Sequence, residues 1–395
     1  MAKKSNQFAL YILMFNMFIA MSGIGLVIPV MPQYLETFGV AGQALGFIIA
    51  SFALGQFVFS PLAGDLSDTF GRKKLIIVGL VIFSGSQLWF GLATHEWMLY
   101  AARFISGIGG AFLIPATMAF VADITTLEDR GKGMGFLGAS MSLGFMIGPA
   151  LGGFLAKVSL TFPFYMASIA AILSAVVSFI ILPDIKNAVS ETLQEKKKRE
   201  NILLQMKNSM KTPYFIMLVI IFVFSFGIAN FQTTFSLYVD HKYNYTPQDI
   251  AIVLTVGGFV GVIVQTLVIN KLFKRFGELN VILVSLVGAA LSLLAFFLVD
   301  GFVLVLVIAT LFSTATTLIR PAVNTVVSKL AGNEQGFAAG MNNAYMSLGN
   351  MVGPALAGMF FDININFPFV IGSIILLCSG IITILWIRKK NPIIM

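Results

Sequence analysis

The chain has 395 residues, 58% of them hydrophobic and only 11% charged, with a mean hydropathy of +0.92. A soluble domain is about 25% charged, so a water-soluble fold is excluded, as are disorder and a collagen-like repeat. The formal net charge of +8 invites a nucleic-acid partner, but the placement of the charges gives it another cause, and the single cysteine, Cys378, rules out an internal disulfide or a thiolate metal cluster.

A helix crossing a ~30 Å hydrocarbon core needs about 20 largely apolar residues. Twelve such runs are predicted, at 8–32, 43–64, 75–93, 97–122, 134–156, 162–182, 214–239, 250–270, 279–299, 302–327, 336–361 and 367–387. They do not alternate in polarity as barrel strands would. The first run follows Lys3 and Lys4, but it is too long for a signal h-region and no cleavage site follows it.

With an even number of crossings, both termini and the even-to-odd connections share one side. That side holds 21 of the 25 Lys and Arg, the opposite side holds Lys157 and Lys242, and Arg103 and Arg320 lie within runs. This bias places both termini in the cytoplasm and explains the net charge, so no nucleic acid is needed. The expected organisation is an N-terminal six-helix bundle (1–182), a cytoplasmic linker (183–212) and a C-terminal six-helix bundle (213–395). The linker carries the charge run Glu195–Glu200 and reads as a solvated connection.

Taken in chain order, the first run contains Gly23-Ile-Gly-Leu-Val-Ile-Pro29-Val-Met-Pro32. After the second comes Gly64-Asp-Leu-Ser-Asp68-Thr-Phe-Gly71-Arg72-Lys73-Lys74. Here Gly64 permits close helix approach, Gly71 a tight turn, and Asp68 can face a cation or a helix N-terminus. Such a carboxylate beside Arg72 and Lys73 predicts a latch that breaks when the structure rearranges. In the fourth run, Arg103 precedes Gly107, Gly109 and Gly110. An arginine inside the bilayer costs at least ~2.5 kcal/mol on insertion scales and is a functional candidate by default.

The fifth run carries Gly144-Phe-Met-Ile-Gly148-Pro149-Ala-Leu-Gly152-Gly153, whose glycines four apart predict one close-packing helix face. The halves also repeat. Residues 141–153 recur at 346–358 with 10 of 13 identities, Phe162-Pro163-Phe164 returns at 367–369, and Gly71 returns as Gly277. A duplicated helical unit is the pattern of secondary transporters whose halves rock about a central site.

These stretches resemble the signatures of the major facilitator superfamily, and within it the twelve-helix drug/proton antiporters. The likeness is strongest to multidrug efflux transporters of Gram-positive bacteria, and Ile319-Arg320-Pro321-Ala322 and residues 331–337 share it. The resemblance implies an all-α membrane protein of two pseudo-symmetric six-helix bundles in the bacterial cell membrane. It implies export of amphipathic small molecules or drugs in exchange for protons, hence antibiotic resistance, with no cofactor, metal or obligate protein partner. It links Arg103 to proton coupling and the 144–153 motif to export rather than uptake.

All 17 acidic residues fall outside the runs as drawn. The resembled exporters would place membrane carboxylates where Gln232 and Thr317 stand here. The remaining titratable candidates are Glu36, Asp68, Asp123 and Asp240, with Asp123 the first choice because it closes the helix that carries Arg103. This absence predicts a preference for anionic or neutral substrates over cationic ones. Pocket candidates are the polar side chains isolated within runs: Asn16, Gln56, Gln87, Asn230, Gln232, Gln265, Arg320, Asn324, Asn342 and Asn350. About half are expected to form only interhelical hydrogen bonds.

Competing readings are an uptake facilitator or symporter for a metabolite, a membrane-embedded enzyme, and a non-transporting sensor on a transporter scaffold. No P-loop lysine motif and no His-Glu-x-x-His occurs, and His95 and His241 lie in exterior loops, which disfavours ATP coupling and enzymatic chemistry. Gly133–Gly138 matches Gly-x-Gly-x-x-Gly but has no preceding strand, and Asn244-Tyr-Thr246 fits a glycosylation sequon that matters only in a secretory pathway.

Overall fold

The computed structural model describes residues 2–40, 42–126, 129–184, 202–332 and 334–390. Among the described residues the chain is helical, without strands. The helices are α1 (Ala2–Gly25), α2 (Met31–Glu36), α3 (Gly42–Phe70), α4 (Arg72–Gly91), α5 (Glu96–Ile124), α6 (Arg130–Leu155), α7 (Phe162–Ile181) and α8 (Ile202–Ser209). They continue as α9 (Phe215–Tyr243), α10 (Pro247–Ile263), α11 (Ile269–Phe276), α12 (Glu278–Ala295), α13 (Phe302–Ala331), α14 (Gln335–Ile363) and α15 (Phe367–Lys390). A π-helical stretch, Val264–Val268, joins α10 to α11.

Among the described residues, 11 helices are long and apolar enough to cross a bilayer. The other long helix, α14, has 29 residues. Asn342, Asn343, Asn350 and Asp362 lower its hydropathy without shortening it. Most of the linker, 185–201, lies outside the described residues.

Two expectations about boundaries are corrected. The first run is not one helix to residue 32: α1 stops at Gly25, a turn covers 26–30, and α2 follows. Pro29, within the turn, supplies no backbone donor, which favours a break there, and Pro32 stands in the first turn of α2, where the missing donor costs nothing. Nor do all the acidic residues lie outside the helices, because Asp123, Asp240 and Asp362 occupy the last turns of α5, α9 and α14. Each of these helices has 29 residues. At 1.5 Å per residue that is roughly 43 Å, well beyond a ~30 Å core, so their ends stand among headgroups.

The chain forms two compact units, Met1–Gln194 with Val239–Ile252, and Glu195–Tyr238 with Val253–Met395. In the first, α3 and α4 pack on α5, α4 on α7, and α1 on α6. Its core is aliphatic, centred on Leu13, Met17, Leu80, Leu113 and Val121. In the second, α12 packs on α13 and α15.

The duplication is visible in side chains as well as in sequence. In the first unit Tyr34 Oη donates to the Phe90 carbonyl at 2.8 Å, and the Tyr34, Phe90 and Phe164 rings lie 4.9–5.7 Å apart. In the second, Tyr238 Oη donates to the Phe296 carbonyl at 3.3 Å, with the Phe369 ring 4.6 Å from Tyr238 and 5.7 Å from Phe296. Tilted and edge-on rings at these distances favour one arrangement over another, which pins the same end of each unit.

Candidate functional site

Gly71 (φ +93) and Gly277 (φ +76) make the turns into α4 and α12. Only glycine adopts such angles without strain, which explains its return in both repeats. Arg72, the first residue of α4, places Nε 3.3 Å from Asp123 Oδ2 and donates through Nη1 to Ser67 Oγ at 2.9 Å. Lys73 Nζ lies 3.8 Å from Asp184 and 5.8 Å from the Phe179 ring centre. Asp123 and Arg72, expected in separate proton and latch roles, thus form one pair. The side-chain surroundings of Asp68, and Gly64 beyond its helical backbone, lie outside the described residues.

The second unit holds a pair that the sequence reading missed. Lys329 Nζ lies 2.6 Å from Glu278 Oε1. The signal was present: Gly277 corresponds to Gly71, and the same offset carries Arg72 onto Glu278 and Asp123 onto Lys329.

The 144–153 motif forms the close-packing face that its spacing predicts. A Cβ on Gly144, Gly148 or Gly152 would fall 2.4, 2.8 or 2.0 Å from the carbonyl oxygens of Phe18, Ser22 and Leu26. The three glycines therefore step along successive turns of α1 and its end. The second repeat does the same, with Gly349 and Gly353 on the carbonyls of Phe222 and Phe226. Gly153 faces elsewhere: its Cβ would lie 2.4 Å from Ala251 Cβ and 2.5 Å from the Pro247 carbonyl. Gln248 Nε2 donates to the Gly153 carbonyl at 2.7 Å. Pro149 Cδ would contact a side chain on Gly25 at 3.1 Å.

Arg103 is buried, its guanidinium centred 4.7 Å from the Phe90 ring and its Nε without a hydrogen-bond partner. A desolvated cation over an aromatic face gains about 2 kcal/mol, which offsets part of the cost of placing it there. The corresponding position in the second repeat is Ala309, so this charge breaks the symmetry of the duplicated aromatic clusters.

In the second unit, Thr317 Oγ1 lies 3.5 Å from Gln265 Oε1, and Asn342 Nδ2 donates to Asn324 Oδ1 at 3.0 Å. Gln265 stands in the π-helical stretch, a feature often found at functional sites. Glycines at 257 and 261 approach Ser313 and Thr317, bringing α10 close to α13. Arg320 and Asn324, three and seven residues after Thr317 on α13, are exposed, as is Gln265.

The other pocket candidates divide. Asn16 is fully buried and donates to Ser178 Oγ at 2.7 Å, and Gln87 donates to the Gly23 carbonyl at 2.8 Å. Both are helix-packing groups and are corrected as pocket residues: they are buried and already engaged by neighbouring helices. Asn230 is buried with Nδ2 unpartnered, while Gln56, Gln232 and Asn350 are half-buried. In the first unit a cleft of about 560 Å³ is lined by Gln33, Glu36, Thr37, Leu160, Asp240 and Asn244.

A family profile described as Major Facilitator Superfamily matches residues 13–343 and 217–393. The chain is 42% identical over 381 residues to Multidrug resistance protein 2 of Bacillus subtilis (strain 168), covering 96% of this chain and 95% of that one. It is 36% identical over 359 residues to Quinolone resistance protein NorA of Staphylococcus aureus (strain MRSA252), covering 91% of each. Among solved structures, a bacterial homologue of the human lysosomal transporter Spinster, inward-facing and occupied, superposes with a TM-score of 0.81 at 15% identity. That match covers 98% of this chain and 97% of the other.

Proposed function

The chain belongs to the major facilitator superfamily, and from that membership we propose that it is a proton-coupled exporter of amphipathic small molecules or drugs across the bacterial cell membrane. The observation that carries export is the 144–153 motif, which packs on α1 and also holds the 247–251 segment through Gly153. A structural glycine face would need Gly144, Gly148 and Gly152 alone. Gly153 instead serves a segment in which α9 turns into α10, the kind of contact that alternating access must make and break.

The proposed substrate-facing surface of the second unit is the strip Gln265, Thr317, Arg320 and Asn324, with the buried Asn342 donating to Asn324 behind it. Arg320 has no ion-pair partner among the described residues, and an exposed guanidinium in hydrocarbon would be costly. The strip therefore suits a water-filled path and solutes that carry an anionic or strongly dipolar group. For the coupled proton, Asp123 is the proposed carrier, with Arg103 and Glu36 the further candidates.

The test is uptake into energised inverted vesicles of cationic, neutral and anionic compounds, each with and without a protonophore. Protonophore-sensitive accumulation supports the reading. Accumulation that ignores the pH gradient refutes proton coupling, and no accumulation of any compound refutes export.

A further inference from the structure

The short helix α11 is divided lengthwise into two chemistries. Lys271, Lys274 and Arg275, three and four residues apart, fall on one face, and Ile269, Leu272 and Phe273 fall on the opposite one. The apolar face is in use: Ile269 joins Val281 of α12 and Leu318 of α13 in a buried cluster, with Leu272 and Phe273 packed against it. The basic face is not. All three cations are exposed, and among the described residues none of them forms an ion pair. Glu278, the nearest acid in the sequence, is engaged by Lys329.

This basic face stands where lipid headgroups lie. The apolar span runs from Pro247 to Val268, so α11 begins where the span ends. Leu267 is 67% exposed just before it, and Phe276 at its far end is 51% exposed, with the Arg275 guanidinium 5.4 Å from its ring. Basic side chains just past a span reach along the interface, where phosphates concentrate. The fold does not require these cations. The offset that carries Gly71 onto Gly277 sets Asp65, Asp68 and Thr69 opposite Lys271, Lys274 and Arg275. Nor does topology require the arrangement, because the charge bias counts residues and takes no account of helix face.

The π-helical stretch Val264–Val268 aims the basic face. Its i→i+5 bonds enclose one residue more than the α ladder, and one residue is roughly 100° of helix. A regular α-helix there would turn α11 by about that angle and take its apolar face off Val281 and Leu318. The same stretch carries Gln265, whose Oε1 lies 3.5 Å from Thr317 Oγ1. The seating of α11 and the position of Gln265 are therefore linked.

We propose that the basic face of α11 is a binding site for the phosphate headgroup of an anionic phospholipid. The bound lipid anchors α11 at the membrane surface and keeps the π-helical stretch, with Gln265, in register. A lipid fits better than a soluble phosphate because the cations adjoin exposed apolar side chains, which an acyl chain covers and a free ion does not. The effect on transport rests on the exporter reading, but the binding does not.

The experiment labels the full chain with bimane at Leu267→Cys in a Cys378→Ser background and reconstitutes it with brominated lipids, which quench the label on contact. Brominated phosphatidylglycerol should be preferred over brominated phosphatidylcholine about tenfold or more, since each cation near an anionic surface contributes about fivefold. Lys271→Gln/Lys274→Gln/Arg275→Gln should reduce the preference to within about twofold. Lys271→Arg/Lys274→Arg should keep it, as should Lys132→Gln/Lys207→Gln/Lys211→Gln, which removes exposed cations elsewhere. Equal quenching by the two lipids before any charge is removed, an unchanged preference in the 271/274/275 variant, or its loss in the 132/207/211 variant would each overturn the site. Displacement of the lipid by millimolar inorganic phosphate would overturn the lipid assignment in favour of a soluble anion.

In proteoliposomes, export should fall severalfold when phosphatidylglycerol is replaced by phosphatidylcholine, and the 271/274/275 variant should show the lower rate in both. Export indifferent to anionic lipid would overturn the anchoring of the π-helical stretch. A chain that moves no solute in any lipid would count against the exporter reading, and the quenching would still decide the lipid site.

Discussion

The side-chain amide of Gln248 donates to the backbone carbonyl of Gly153 at 2.7 Å. That bond ties the start of α10 to the last residues of the glycine motif on α6, where Gly153 leaves room for Pro247 and Ala251. A side chain at 153 must displace backbone, so Gly153→Val is expected to push the 247–251 segment away. With Asn244→Cys as reporter in a Cys378→Ser background, labelling by a membrane-impermeant maleimide should rise and export should fall. Gln248→Ala removes one hydrogen bond, about 1 kcal/mol, and should raise labelling only a few-fold. Equal labelling in all three proteins would remove the docking role.

Gly152 and its counterpart Ala357 make an internal comparison. A Cβ at 152 would lie 2.0 Å from the Leu26 carbonyl, a clash that no rotamer relieves. Gly152→Ala should therefore cost several kcal/mol, as overpacking does, and lower both melting temperature and export. Ala357→Gly should cost only about 1 kcal/mol, the helix-interior difference between the two residues. Thermal unfolding in detergent measures both, and a tolerated Gly152→Ala would contradict the packing argument.

Phe90 lies under the Arg103 guanidinium at 4.7 Å, and among the described residues no carboxylate pairs with it. Arg103→Ala should stop transport or uncouple it from the proton gradient. Arg103→Lys keeps a cation over the ring and should retain part of the activity. Normal proton-driven export by Arg103→Ala would sink the coupling role.

Asp68 lies four residues before Arg72, on the stretch that the latch reading singled out. Asp68→Asn preserves volume and removes the charge. It should abolish export while the amount of protein in the membrane, measured by immunoblot, stays the same. Full export by this variant would dismiss the latch.

Arg320 should set substrate charge preference. Arg320→Gln is expected to lower transport of anionic and zwitterionic compounds about tenfold or more, the value of a charge-assisted hydrogen bond. Neutral compounds should be little affected. Wild-type protein should move permanently cationic dyes poorly, because Gln232 and Thr317 stand where carboxylates would attract them. Strong transport of such dyes would overturn the preference.

Much of this was legible without coordinates. The glycine spacing at 144, 148 and 152 specified a packing face, and the structure supplies its partner, the carbonyls of α1. Polar side chains were harder to sort. Asn16 and Arg320 look alike in the sequence, each a lone polar residue in an apolar run, yet one is fully buried on Ser178 and the other exposed. Helical periodicity gives the face a residue occupies and not what stands opposite it.

Composition and the repeat determined by themselves that this chain is a duplicated bundle of membrane helices, and the placement of Lys and Arg set the expectation that both ends lie in the cytoplasm. Those are properties of single segments, set by hydrocarbon thickness and charge bias. Only the tertiary structure decided that Arg72 meets Asp123 and Glu278 meets Lys329, and that Gly153 serves the start of α10 rather than α1. Pairing across helices depends on which turns come to equal height when two rods pack, and no local pattern encodes that height.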